Sequence, residues 1–95
     1  MSFGVVHHFP GGTKEQYETI VAKVTADGSL PPGELHHVAG ATDQGWLVSV
    51  VFESKAKYED FMASTLGPVL AELGDKAFPN PPHVSTFEVH REVHA

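Results

Sequence analysis

Imidazoles are the groups of this sequence best suited to chemistry. There are seven histidines, at His7, His8, His36, His37, His83, His90 and His94, and no cysteine. An imidazole titrates near neutrality and also binds metals, so acid–base catalysis and metal ligation are both open. The lack of cysteine removes thiolate nucleophiles, disulfides and cysteine-based metal centres. Neighbouring side chains on a strand point to opposite faces, so neither His7 with His8 nor His36 with His37 chelates a single ion. His90 and His94, on an extended strand, stand roughly 13 Å apart at about 3.3 Å per residue. No His-Glu-x-x-His motif occurs. No metal and no cofactor is therefore expected, and acid–base work by a histidine facing an apolar pocket is the sharper reading.

The elements that must position these side chains follow from periodicity and punctuation. Ser2–Phe9 is a short apolar run stopped by Pro10-Gly11-Gly12, a strand and its turn. Thr13 and Gln16 form a capping-box pair at the start of a helix. Tyr17, Ile20, Val21 and Val24 give that helix one apolar stripe, and Asp27-Gly28 closes it. A loop with Pro31-Pro32 leads to a polar strand, Glu34–Ala41. Thr42-Asp43-Gln44-Gly45 is a hairpin connection to the strongest strand, Trp46–Glu53. Ser54 caps a second helix with a stripe of Tyr58, Phe61, Met62 and Thr65. Gly67-Pro68 is expected to interrupt it, and Val69, Leu70 and Leu73 mark a further short helix ending at Gly74. His83–Val93 is the last strand. Pro10-Gly11-Gly12-Thr13-Lys14 lacks the spacing of a phosphate loop and reads as turn plus helix cap.

The order β-α-β-β-α-β predicts one ferredoxin-like α+β domain over residues 1–95, with helices on one face of a four-stranded antiparallel sheet. Val6, Leu47 and Val51 alternate onto the opposite face, leaving it partly apolar and in need of a cover. A second copy of the chain is the expected cover, because a domain this small is marginal alone. The formal charge of −6 opposes nucleic-acid and anionic-membrane partners. No stretch approaches 18 apolar residues and no signal peptide is visible, so a cytoplasmic protein is expected.

Three segments carry a likeness: the first strand running into Pro10-Gly11-Gly12, the Pro32-Gly33 entry to the second strand, and Val51-Phe52-Glu53-Ser54 leading to Tyr58 and Phe61. In these the chain resembles the antibiotic-biosynthesis-monooxygenase-like domains of the dimeric α+β barrel superfamily. The resemblance implies a homodimer with a pocket between sheet and helices in each subunit. It implies functions such as cofactor-independent oxygenation of aromatics, haem degradation or isomerisation. Haem degradation fits poorly. The pocket tryptophan of that branch falls at Phe52, its asparagine at Val5, and Lys55–Gly74 holds no histidine for the haem.

Parity then ranks the histidines. If Phe52 faces the helices, so do Trp46, Val48 and Val50, and on the first strand Phe3, Val5, His7 and Phe9. His7 is thus the candidate general base in an apolar pocket, although a core histidine satisfied by its neighbours fits the same placement. One of His36 and His37 shares that face, and His37 is the ligand-binding candidate. Trp46, Phe52, Tyr58 and Phe61 are candidate lining residues, unless they serve core packing alone. His8 faces the dimer barrel, His83 and His94 face solvent, and Glu53, Glu88 and Glu92 lie on a solvated edge. The expected function is cofactor-free chemistry, as a monooxygenase or isomerase, on a small apolar or aromatic molecule. A non-catalytic binding or interaction module is the alternative. A histidine-based metal or haem protein is a distant third.

Overall fold

The computed structural model describes residues 2–25 and 28–95. Four strands form one antiparallel sheet: β1 (Phe3–Pro10), β2 (Glu34–Thr42), β3 (Gly45–Phe52) and β4 (His83–Glu88), in the order β2-β3-β1-β4. With helix α1 (Lys14–Val24) after β1 and α2 (Lys55–Phe61) and α3 (Gly67–Leu73) after β3, this is the ferredoxin-like arrangement.

Local signals explain the boundaries. Thr13 Oγ1 accepts from the Gln16 amide at 3.2 Å while Gln16 Oε1 accepts from the Thr13 amide at 2.9 Å, a complete capping box. Gly28 takes a left-handed φ of 81° just after α1; its companion in the sequence reading, Asp27, lies outside the described residues. Gly45 opens β3 where any Cβ would stand 2.2 Å from the Phe9 carbonyl oxygen, so the tight approach of the β2–β3 turn to β1 requires glycine.

Two expectations are corrected. Gly67-Pro68 does not interrupt the second helix. The chain passes through one wide π-helical turn, Met62–Leu66, in which the Gly67 amide bonds the Met62 carbonyl. An i→i−5 turn accommodates the amide that Pro68 lacks, and α3 continues with Pro68 in its first turn. The last strand ends at Glu88 rather than Val93. It is an edge strand paired only with β1, Glu88 opposes Phe3, and the Val89 amide takes the Ser2 carbonyl. The ladder ends there opposite Phe3, the first residue of β1.

The register makes the core. Phe3 opposes Phe52, Val5 opposes Val50, His7 opposes Val48 and Phe9 opposes Trp46. All eight face the helices and all are buried, with Val5 at 0% and Phe52 at 1% exposure. Gly4, Val6, His8, Leu47, Ser49, Val51, Val38 and Phe87 occupy the other face by the same pairing. Val38 there is 68% exposed and Phe87 50%.

Truncating Phe52→Ala is expected to destabilise the fold by about 3–5 kcal/mol, the range for removing a large aromatic from a closed core. Denaturant titration checks this, with an unchanged m-value expected alongside the lowered midpoint.

Candidate functional site

β1 delivers His7 to the buried face, 6% exposed and surrounded by apolar side chains. Its Nε2 lies 2.9 Å from Tyr58 Oη. Tyr58 reaches it because Ser54 starts α2 at the right residue: Ser54 Oγ accepts from the Lys57 amide and Ser54 O from the Tyr58 amide. The Tyr58 ring is held against Phe3 and Phe52, at centroid distances of 5.8 and 5.5 Å. Burial pushes the His7 pKa down and the Tyr58 pKa up. Both groups therefore stay neutral near pH 7 and share one proton in their hydrogen bond.

A second imidazole–phenol pair faces the same space. His37 Nδ1 is 3.1 Å from Glu34 Oε1, and His37 Nε2 is hydrogen-bonded to Tyr17 Oη. The Glu34 carboxylate is 4% exposed. Residues three apart on a regular strand face opposite ways. Here a β-bulge between Glu34 and His36 inserts one residue, so Glu34 opposes Phe52 and His37 opposes Val50, both on the buried face. With Glu34 accepting from Nδ1–H, the ring is fixed in the tautomer whose Nε2 accepts from the Tyr17 hydroxyl. Burial raises the Tyr17 pKa, and the charges of Glu18 and Glu34 raise it further, so Tyr17 is a protonated phenol.

Both pairs line one cavity of about 200 Å³ between the sheet and the helices. Val48, Val50 and Phe52 floor it, Ile20, Phe61 and Leu70 cover it, and exposed Gly28, Ser29 and Leu30 stand at its mouth. Of the residues singled out in the sequence, His7, His37, Phe52, Tyr58 and Phe61 line the cavity. Trp46 does not. It is buried behind Tyr17, with ring centroids 5.1 Å apart, because its strand position lies under the α1 stripe. Tyr17 and Glu34 were not singled out. Tyr17 reads as one member of a helix stripe, and Glu34 belongs with His37 only through the bulge.

The other histidines lie outside the cavity. His8 Nε2 bonds Thr42 Oγ1 at 3.1 Å on the open face of the sheet, its ring near that of His83. His36, Glu92 and His94 converge, with ligand atoms within 4.8 Å of one another, so these three could hold a cation. Hydrogen bonding accounts for the cluster equally well: desolvation pushes the Glu92 carboxyl up, but its contacts with His36 and His94 outweigh this and hold it below the usual carboxylate value. Glu92 is exposed, as expected, but it has partners, because the chain after β4 leaves the strand and crosses to β2. No helix among the described residues is long and apolar enough to cross a membrane.

No family model and no curated protein matches the chain. Solved structures do. A dimeric ferredoxin-like protein of unknown function from Thermobifida fusca superposes with a TM-score of 0.68 at 12% identity, over 94% of this chain and 92% of that one. The cofactor-independent oxygenase SnoaB of Streptomyces nogalater gives 0.65 at 14%, over 97% and 95%. The ActVA-Orf6 monooxygenase of Streptomyces coelicolor, solved with nanaomycin D, gives 0.64 at 19%, over 99% and 91%. The chain shares the ferredoxin-like fold of these solved structures. At these identities the likeness is one of architecture.

The buried His7 makes a pH prediction. Its native pKa lies below the ordinary 6.5, so the unfolded chain takes up this proton first as pH falls. Its contribution to stability is complete above about pH 6.5 and is lost as pH drops from there through the native value. The stability difference between the wild type and His7→Gln is therefore expected to shrink between pH 7 and pH 5. Denaturant midpoints measured at several pH values read it, and a difference independent of pH would contradict the placement.

Proposed function

We propose that the chain works as a homodimer whose pocket binds a small apolar or aromatic molecule and performs cofactor-free proton-transfer chemistry on it, as a monooxygenase or an isomerase. The single observation that carries this reading is a neutral histidine, His7, hydrogen-bonded to Tyr58 and set among apolar side chains at one end of the cavity. A neutral imidazole in such a place accepts a proton from an acidic phenol or enol, and the low dielectric strengthens the contact. The anion left behind either reacts with oxygen or is reprotonated at another atom. The shared fold with a cofactor-independent oxygenase and with a monooxygenase solved with nanaomycin D supports the choice of chemistry.

The cavity sets the size of the guest. At about 200 Å³ it exceeds the roughly 150 Å³ apolar cavity that takes up benzene and falls below the drug-sized range. One or two fused rings fit. Small phenols and naphthols are expected to raise the melting temperature, and His7→Ala is expected to weaken binding or turnover by about tenfold or more, the worth of one desolvated hydrogen bond. Equal behaviour of the variant with every hit removes His7 from the mechanism. Binding with no turnover of any hit assigns the pocket to a carrier or sensor.

The dimer reading rests on the open face, where Val38 and Phe87 are exposed beside Val6, Leu47 and Val51. A neighbour of the same fold is dimeric. Sedimentation at micromolar concentration is expected to give twice the chain mass, and Val38→Glu to give the monomer. A wild-type monomer overturns the dimer.

A further inference from the structure

We infer that Tyr17, His37 and Glu34 form a second proton-accepting centre in the pocket, and that its ligand is a one- or two-ring molecule carrying hydroxyl donors at two separate ends. The inference rests on the pocket being a binding site, as proposed above, and adds the groups that read the far end of the guest.

The two centres stand apart by construction. β3 separates β1 from β2, so His7 and His37 lie two strand spacings apart, roughly 10 Å across the sheet. Val48 and Val50 lie between them as an apolar floor, since His7 pairs with Val48 and His37 with Val50. Each imidazole meets a phenol from a different helix, Tyr58 from α2 and Tyr17 from α1. An apolar slot with a polar group at each end selects a flat apolar body with a polar atom at each end.

The second centre is polarised toward accepting. Glu34 accepts a hydrogen bond from His37 Nδ1–H, leaving Nε2 as the acceptor for the Tyr17 hydroxyl. With its own proton directed at His37, Tyr17 Oη presents lone pairs to whatever enters. When a ligand O–H is placed there, that bond breaks and its proton goes to Tyr17 Oη. The former Tyr17 proton passes to His37 Nε2, and the resulting imidazolium sits against the Glu34 carboxylate. The electron pair stays on the ligand oxygen as phenolate or enolate, so no oxidant is needed. This is the logic of a hydroxyl activated by an oriented imidazole, with a phenol in the hydroxyl's place. Tyr17 is the catalytic residue, and His37 and Glu34 act through it. The bulge in β2 is the device that assembles them, and bulges are used in this way to aim side chains at sites.

The test uses the intact full-length protein with 2,6-dihydroxynaphthalene and 2-naphthol as probes, titrated by absorbance so that affinity and the naphtholate band are read together. The wild type is expected to prefer the diol by about tenfold, one hydrogen bond's worth. Tyr17→Phe keeps the ring that packs on Trp46 and Glu34→Gln keeps the shape of the carboxylate, so both are expected to fold. Both should bring the diol down to the affinity of the mono-ol while leaving the mono-ol within about threefold, and both should lower the naphtholate absorbance of the bound diol across pH 6–8. A diol preference and naphtholate band that survive in both variants overturn the second centre and leave the pocket reading standing. Failure of the wild type to bind either ring overturns both.

Discussion

The β1–β3 ladder is the constraint on which the rest of the molecule depends. Its register sets Phe3, Val5, His7 and Phe9 opposite Phe52, Val50, Val48 and Trp46. Because the side-chain period of a strand is two, a slip of one residue would turn that whole set out to the open face. The apolar members lock the register, since burying seven of them together stabilises only this alignment. His7 is carried into the core as the eighth member of a pattern decided by the others. Desolvation of its imidazole follows from its neighbours' hydrophobicity, and so does the neutrality that suits it to accept a proton.

The second centre depends on a departure from that regularity. β2 pairs only with β3, at the edge of the sheet, and its burial is shallow. An edge strand tolerates an extra residue because one of its sides has no ladder to keep. The chain enters β2 through Gly33, whose φ of 86° turns it in while its carbonyl accepts from the Glu53 amide. Leu35 is left without a ladder partner, and Glu34 and His37 come onto one face. A regular strand would have sent the carboxylate to the open face of the sheet, and His37 would have had no orienting partner.

The two faces of the sheet divide the work. The helix face holds the cavity, and α1, α2 and the π-helical turn shape its walls. The open face holds Val6, Leu47, Val51, Val38 and the Phe87 ring, which lies over Gly4 where a Cβ would clash at 2.2 Å. Glycine at that position leaves room for the aromatic ring over β1, and the tail after Glu88 crosses to His36 on the same face.

Much of this was legible in the residues. Capping at Thr13 and Ser54, the stripe of α1, the apolar alternation of β1 and β3 and the glycine turns are local, and local chemistry determined the element order and the side of the sheet on which His7 lies. The same alternation assigned His8 to the open face and left His36 and His37 undecided. Three things were decided only by the tertiary structure. β4 stops at Glu88, opposite the first residue of its partner β1, which no property of Val89–Val93 reveals. Trp46 is withheld from the cavity because Tyr17 from another element covers it. Glu34, His37 and Tyr17 meet because a bulge breaks the alternation and a helix some twenty residues away in sequence supplies the phenol. Periodicity describes one element at a time, and sites made by register, irregular pairing and the packing of separate elements exist only once those elements are assembled.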